Sequence, residues 1–596
     1  MKFAAFLLLT LSLSAMLAAA DPVAKPNVLV ILADDQGWGD VGFNGNTNVQ
    51  TPNLDRLARA GAILDRFFVC PVCSPTRAQF LTGRYYPRCG VRDVTSGMER
   101  LNLDETTIAD TFKAAGYATG AFGKWHNGSQ WPYHPNARGF QEYYGFTSGH
   151  WGEDFDPPLE HNGEFVRGKG YIADDLTDHA MAFIEKNRAH PFFCYLPFNI
   201  PHSPFCVPDE YWNRFKEDPI ALRGALGDQE NLAVTRCVLA MAENIDWNVG
   251  RLLRQLDDLH LAENTIVVYF SDNGPVSERW NGRMKGLKGS VDEGGVREPF
   301  CIRWPGRIKA GATLPQIAGD IDLLPTLASL AGVPLLGAKP LDGRDLSPLL
   351  LGSGQAWPER LIFSTFRGRM SVRSSRFRLS AKGALYDPEA DPGQTKDLGV
   401  EHPEEQGSLT RALATWSKEM FPPGAASLPR DPKTGIALDD RPFTVGYREF
   451  PMTPLPARDG APHGGVQRSS GAPNCSYFVN WKTLDDSITW DIEVHTTGEY
   501  EAAIYYTCPL ADAGSTVELS FNGSSIAGQV TPGWDPPLID GHDRAPRQGE
   551  SIMKDFHPIK VGAMHLEAGR GPLTLRALKI PGQSVMDVRM VTLTLK

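Results

Sequence analysis

Cysteine is scarce, with nine in 596 residues, which excludes a small scaffold held together by disulfides. Long apolar runs are scarce too. Beyond a stretch around Phe6-Leu7-Leu8-Leu9, no run reaches the roughly 18 apolar residues of a membrane span, so no stable membrane insertion is expected. Positive charge is in short supply. With 59 basic against 70 acidic residues the formal net charge is −11, which leaves no electrostatic footprint for nucleic acid. An anionic substrate would then need a local cationic pocket. No internal repeat is found. What is present is globular in kind: 42% hydrophobic, 22% charged and 10% aromatic residues, a composition that excludes disordered and collagen-like chains. The length exceeds what one core supports, so a large domain with a smaller companion is expected.

Lys2, the apolar stretch behind it and Ala18-Ala19-Ala20 before Asp21 have the form of a secretory leader. Residues 1–20 are read as a signal peptide and the mature chain as exported, periplasmic or secreted. Without Lys2 the balance is 58 basic to 70 acidic residues, formally −12. An odd number of cysteines in an oxidising compartment leaves one thiol over.

Candidate strands fall at Asn27–Ala33, Tyr117–Phe122, Phe192–Phe198 and Thr265–Phe270, with helices at Asn53–Gly61 and Thr106–Ala115. This alternation predicts an α/β domain over 21–421, its large, mostly parallel sheet sandwiched by helices. In such a sheet, ligands sit beyond the carboxyl ends of the strands. Residues 422–473 are rich in Pro, Gly, Asp and Arg with little periodicity, and read as a linker or wrapping segment. Over 474–596, strand character at Glu499–Thr507, Ser515–Asn522, Pro572–Ile580 and Asp587–Leu595 predicts a small all-β sandwich.

Four candidate strands run into chemically capable residues. The first delivers Asp34 and Asp35, and the strand at Thr265–Phe270 delivers Asp272 and Asn273. Three carboxylates and an amide oxygen form a hard-oxygen set suited to Ca²⁺ or Mg²⁺ rather than Zn²⁺. Either pair alone would read as turn residues. The other two strands lead to Gly123-Lys124-Trp125-His126 and to Pro201-His202-Ser203-Pro204. In Cys73-Ser74-Pro75-Thr76-Arg77-Ala78-Gln79-Phe80-Leu81-Thr82-Gly83-Arg84, Ser74 reads as a helix N-cap with Pro75 at the first helical position and Gly83 as the stop. Cys73 would lie at the positive end of that helix, with Arg77 one turn in. Taken plainly, that makes a low-pKa thiolate. The competing reading is a half-cystine.

Cys73-Ser74-Pro75-Thr76-Arg77 with Leu81-Thr82-Gly83-Arg84 resembles the first signature of the type I sulfatases, in the alkaline-phosphatase-like superfamily, and Gly116–His126 resembles their second. Ala33–Gly37, Ser271–Gly274, and Lys288-Gly289-Ser290 continuing through Glu293–Arg297 extend the likeness, which spans roughly 26–420. The resemblance implies conversion of Cys73 to formylglycine by a sulfatase-maturating enzyme. It implies one Ca²⁺, with Mg²⁺ the less suited ion, held by Asp34, Asp35, Asp272, Asn273 and a formylglycine oxygen at position 73. It further implies a sulfo-enzyme intermediate, with Arg77 positioning the hydrate, Lys124 and Lys288 binding sulfate, His126 taking a proton, and His202 serving the leaving oxygen. The substrate would be a sulfated small molecule or glycan. Alternatives are a phosphonate or phosphodiester hydrolase of the same superfamily and a non-catalytic glycan-binding protein.

With Cys73 converted, eight cysteines remain, enough for up to four disulfides or for buried free thiols. Three N-glycosylation sequons start at Asn127, Asn474 and Asn522; the first abuts His126 and reads as unused. Trp131, His134, His150, Trp151 and Trp280 in expected loops either stack on sugars or pack the domain. The sandwich is read as a structural appendage, with carbohydrate binding as the alternative.

Overall fold

The computed structural model describes residues 25–354, 356–422, 439–547 and 549–596. The expected leader, 1–20, lies outside the described residues. A ten-stranded sheet organises the N-terminal part. Across its middle run, in order, Thr265–Ser271, Asn27–Ala33, Phe192–Pro197, Ala118–Lys124 and Glu142–Phe146, all parallel. The first of these in the chain, NVLVILA, is buried at all seven positions, as a strand covered on both faces must be.

The period-two alternation of that strand sends its side chains to two cores. Leu29, Ile31 and Ala33 pack with helices Ile172–Lys186 and Leu232–Asp258. Val28, Val30 and Leu32 pack with helices Cys73–Thr82 and Leu323–Leu330 on the other face. The sheet is mostly parallel, as expected, with antiparallel pairs toward its flanks, although Ala312–Leu314 at one edge runs parallel to Ala62–Leu64. Phe300–Arg303 lies antiparallel to Thr265–Ser271, and Pro158–His161 pairs antiparallel with both Glu142–Phe146 and Glu164–Arg167. The last connection is a two-residue turn, Asn162-Gly163, with φ positive at both; this suits a hairpin and is far too short for a parallel crossover.

The C-terminal part is two six-stranded sheets closed around Trp481, Trp490, Ile504, Leu519, Leu575 and Val591. The segment 422–473 is more than a linker in its described part. Phe443–Val445 and Ala461–His463 pair with Ser487–Val494, and Met452–Pro456 pairs with Asp587–Leu595. Strand pairing in the sandwich therefore begins at 443 rather than after 474. Pro454 and Pro456 hide this in the sequence, because proline inside a run normally argues against a strand except at an edge. All nine cysteines are free and buried, so no disulfide framework forms. Cys194, Cys237 and Cys301 sit in the sheet's own core, where a thiol behaves as a small hydrophobe.

Candidate active site

Ala33 pairs with Ser271 across the two central strands, so Asp34 and Asp272 leave the sheet side by side. The Asp272 N–H donates to the Ala33 carbonyl (3.1 Å) and the Asp34 N–H to the Ile200 carbonyl (3.0 Å). These bonds tie three post-strand loops into one rim. Asp35, the next residue, takes a left-handed backbone, φ 63°, as does His126, φ 65°. A non-glycine residue in that region costs on the order of 1 kcal/mol or more and persists where surrounding structure enforces it.

Nine of the ten sequence-predicted site residues meet on this rim. The Lys124 ammonium donates to Asp34 Oδ2 (2.6 Å), that of Lys288 to Asp35 Oδ1 (2.6 Å), and Asn273 Nδ2 also to Asp35 Oδ1 (2.7 Å). Arg77, wholly buried, donates through Nε and Nη2 to Asp272 Oδ2 (3.2 and 2.9 Å) and through Nη1 to the Lys124 carbonyl (2.7 Å). His202 Nε2 lies 3.5 Å from Asp35 Oδ2. Cys73 Sγ groups with carboxylate oxygens of Asp34 and Asp272, all within 4.8 Å of one another. His126 stands apart, two residues beyond Lys124, with its Nε2 2.8 Å from the Val94 carbonyl and its Nδ1 buried without a partner.

The helix that carries the signature starts two residues earlier than expected. It spans Cys73–Thr82 with Val72 as N-cap, and Gly83 closes it in the left-handed conformation, φ 67°. Pro75 is compatible with either start, since the first-turn N–H groups have no intrahelical partner. The expectation of a low-pKa thiolate fails. Burial pushes the Cys73 thiol up, and the nearby Lys124 and Lys288 do not overcome it. The position is dry and ringed by charge, and an ordinary thiol there is a poor nucleophile.

The donor set fits a hard divalent cation. Asp34 Oδ1, Asp35 Oδ2 and Asn273 Oδ1 are buried and have no hydrogen-bond partner, a costly arrangement unless another group satisfies them. Burial and the neighbouring Asp34 charge push the Asp272 carboxyl up to about 7, strain that a bound cation would relieve. Asp35 behaves oppositely. Burial opposes its charge, yet His202, Lys288 and Lys124 hold it well below the usual carboxylate range. Three carboxylates face three permanent cations, so a divalent ion would leave the rim positive enough to draw in an anion.

Sequence reasoning misses several supporting residues. Asn127, legible only as a sequon, is fully buried and donates to the Ser74 carbonyl and hydroxyl and to the Glu99 carbonyl, which anchors the first turn of the Cys73 helix. Two residues come from the sandwich: Asn474 Nδ2 donates to the Val94 carbonyl (3.1 Å) that also meets His126, and Glu550 accepts from the Ser203 hydroxyl beside His202. No local signal links partners more than 300 residues apart. Of the loop aromatics, His150 stacks on His202 with ring centroids 5.4 Å apart. Trp131 stacks on Phe450, Trp280 tilts against Trp38, and His134 binds Glu160 (2.5 Å), so these three pack the protein itself.

Residues 26–333 match the family model described as Sulfatase. The chain belongs to the sulfatase family. It is 35% identical to arylsulfatase A of Homo sapiens over 429 residues, covering 64% of this chain and 80% of that protein. It is 32% identical to N-acetylgalactosamine-6-sulfatase of Mus musculus, covering 62% of this chain and 75% of that protein. Among solved structures it is similar to Ps i-CgsB in complex with k-i-k-neocarrahexaose, with TM-score 0.61 and 30% identity over 67% of this chain and 94% of that one. This sulfatase therefore hydrolyses sulfate esters, on an alkaline-phosphatase-like fold. Among its described residues no helix is long and apolar enough to cross a membrane.

Proposed function

We propose that this sulfatase releases sulfate from a sulfated carbohydrate, using a Ca²⁺ ion and a formylglycine formed from Cys73 by a maturating enzyme in an exported, periplasmic or secreted protein. The observation that carries the reading is the convergence of Cys73, at a helix N-terminus, on three unpartnered buried oxygens ringed by Arg77, Lys124 and Lys288. The leader pattern at 1–20 supports export. The neocarrahexaose held by Ps i-CgsB and the sugar named for the mouse relative support the substrate class.

Asp34, Asp35, Asp272 and Asn273 would hold the ion; when bound, it supplies Lewis-acid activation of the oxygen at position 73 and of the sulfate. The aldehyde at position 73 supplies, as its hydrate, a nucleophile that a buried thiol cannot. The chain's own side chains do the rest. Arg77, locked between Asp272 and the Lys124 carbonyl, fixes the electrostatics around position 73. Lys124 and Lys288 each carry spare N–H donors beyond their carboxylate bonds, and these take the sulfate oxygens, where charge builds in the transition state. Burial, with Lys288 and Lys124 against the opposing charge of Asp35, holds His202 down at about 4, and burial with Lys124 and Arg77 holds His126 well below its usual value. Both rings are neutral at physiological pH. His126, whose Nε2–H donates to the Val94 carbonyl, has its Nδ1 free to accept a proton. His202, whose one proton is held at Nδ1 by the Ser203 carbonyl, passes a proton to the leaving oxygen only after taking one up on Nε2 when the anion enters.

The test is mass spectrometry of the peptide 67–77 from protein made in its native host, run beside sulfate release from aryl sulfate and from sulfated mono-, oligo- and polysaccharides. The expected result is the aldehyde at position 73, activity lost on chelation and restored by Ca²⁺, and turnover of a sulfated sugar. An unmodified thiol in fully active enzyme, or preference for a phosphate diester, overturns it.

A further inference from the structure

A cavity of about 180 Å³ lies between the catalytic domain and the sandwich. Trp151, Glu153 and Phe165 line it from one side, and Tyr505, Phe556 and Arg589 from the other. Nothing in the chemistry at Cys73 uses these residues.

Two of them are ionisable groups that no ion pair among the described residues satisfies. Glu153 is 7% exposed, yet among the described residues it has neither a hydrogen bond nor an ion pair. Arg589 lies over the Trp151 ring, 5.3 Å from its centroid, and spends one nitrogen on the Ser476 carbonyl (3.3 Å) and Met553 Sδ (3.5 Å). It reaches no carboxylate of the described residues. A guanidinium offers five N–H donors, so most of its capacity is open. Burial pushes the Glu153 carboxyl up to about 7, with the Arg589 charge opposing it, so the two groups face one space and feel each other without a hydrogen bond between them. Leaving such groups unsatisfied is costly unless something polar bridges them.

The rest of the lining narrows what that is. Phe165, 40% exposed at the mouth, stands edge-on to Tyr505 with centroids 5.7 Å apart, and Phe556 adds a further ring, while Trp151 is already sandwiched between Arg589 and Phe146. Rings that take C–H surface, beside Glu153 and Arg589 and a rim that also carries Arg167, Lys554 and Asp555, match a sugar ring whose adjacent hydroxyls donate to one group and accept from the other.

The cavity also adjoins the active site. The Ser148 hydroxyl, on its wall, donates to the Asn474 carbonyl (2.7 Å), and Asn474 shares the Val94 carbonyl with His126. A Cβ on Gly149 would fall 2.1 Å from Asn474 Nδ2 and 2.5 Å from His126 Nε2, so the residue after the wall's Ser148 packs directly against His126. We propose that this cavity is a subsite for a non-reacting sugar unit of the sulfated glycan, with Glu153 and Arg589 bridged by its hydroxyls. The proposal rests on the carbohydrate reading above, and it makes the sandwich part of substrate recognition rather than an appendage.

The test compares Glu153→Gln and Phe165→Ala with the unaltered protein on two kinds of substrate. One is an aryl sulfate, too small to fill both sites. The others are k-i-k-neocarrahexaose and a hexasaccharide containing N-acetylgalactosamine 6-sulfate. The expected result is a KM raised about tenfold on the hexasaccharide that is cleaved, with kcat/KM on the aryl sulfate held within about twofold. Unchanged hexasaccharide KM in both variants overturns the subsite while leaving the carbohydrate reading intact, and so does an equal loss on the aryl sulfate. If the unaltered protein cleaves the aryl sulfate but neither hexasaccharide, the carbohydrate reading fails and the subsite fails with it.

Discussion

The rim at the ends of the parallel strands and the outer faces of the sandwich use the same ions in opposite ways. On the rim, Arg77, Lys124, Asp34 and Asp272 are at 0% side-chain exposure and bound to one another. On the sandwich, Arg570 pairs with Asp491 at 2.6 Å, a distance equal to that of Lys124 and Asp34, with half of each side chain in water. Bond length does not separate the two sets; solvent does. A buried ion depends on its partner because it has lost its hydration, whereas an exposed one recovers water when its partner leaves. The rim is thus costly to build, and what it gains is a preorganised field in a dry site.

The sharpest break in this comparison is chemical. Cys73→Ala is expected to lower sulfate-ester turnover by more than about 10⁴-fold while leaving the melting temperature close to that of the parent, since it removes one buried atom and no charge. A variant that keeps measurable activity would show that position 73 does not carry the nucleophile. Next comes Asp272→Ala, which strands the Arg77 guanidinium. Removing one member of a buried pair costs roughly 3–5 kcal/mol. Thermal or denaturant unfolding should show that loss alongside loss of activity. A drop as small as that of a surface pair would mean that water or Asp34, 3.9 Å away, takes over the charge.

Much of this rim is legible in the amino-acid sequence. The four strands that feed it can be read because both faces of each are buried, which forces near-continuous apolar runs, and polar residues mark where each run ends. What escapes has identifiable causes. The flanking antiparallel strands are four residues each, and Glu164–Arg167 is largely exposed as well, so their pattern is weak. The sandwich starts at 443 in segments whose prolines imitate a linker. The start of the Cys73 helix shifts by two residues because Pro75 is tolerated anywhere in the first turn. The thiol's pKa departs from expectation because helix polarity can be read from sequence whereas burial cannot. The contacts of Asn474 and Glu550 with the rim depend on how two units dock, which no local pattern encodes.

Asp154 tests the comparison at an intermediate point. It is buried beside the sandwich, where Oδ1 accepts from Asn199 Nδ2 (3.0 Å) and Oδ2 has no partner. Burial pushes this carboxyl up to about 8, with Asp543 and Glu153 adding to the effect and Arg547 and Asn199 opposing it. The folded state therefore keeps a proton that the unfolded chain releases near pH 4. Stability from this group is full below that pH and declines as pH rises toward 8. Asp154→Asn keeps the Asn199 bond and cannot ionise. Its melting temperature should exceed that of the parent at pH 9, by an amount on the order of a few kcal/mol in stability, and should match it near pH 4. Parallel curves for the two proteins would mean that Asp154 is solvated in both states.

The smallest effect belongs to the sandwich surface. Arg570→Ala removes the bond to Asp491 and one to the Asp440 carbonyl. Both sites are half exposed, so Asp491 regains its water when the guanidinium goes. The expected loss is under about 1 kcal/mol and should shrink further in high salt, where exposed pairs are screened within a Debye length of about 3 Å at 1 M. The rim behaves differently because its ions lie beyond the reach of mobile counter-ions, so the cost of Asp272→Ala should persist at high salt. Measuring both variants at low and high ionic strength therefore separates the two regions even if their absolute costs overlap. A salt-insensitive loss at Arg570 would mean that this pair, despite its exposure, belongs to a docked interface.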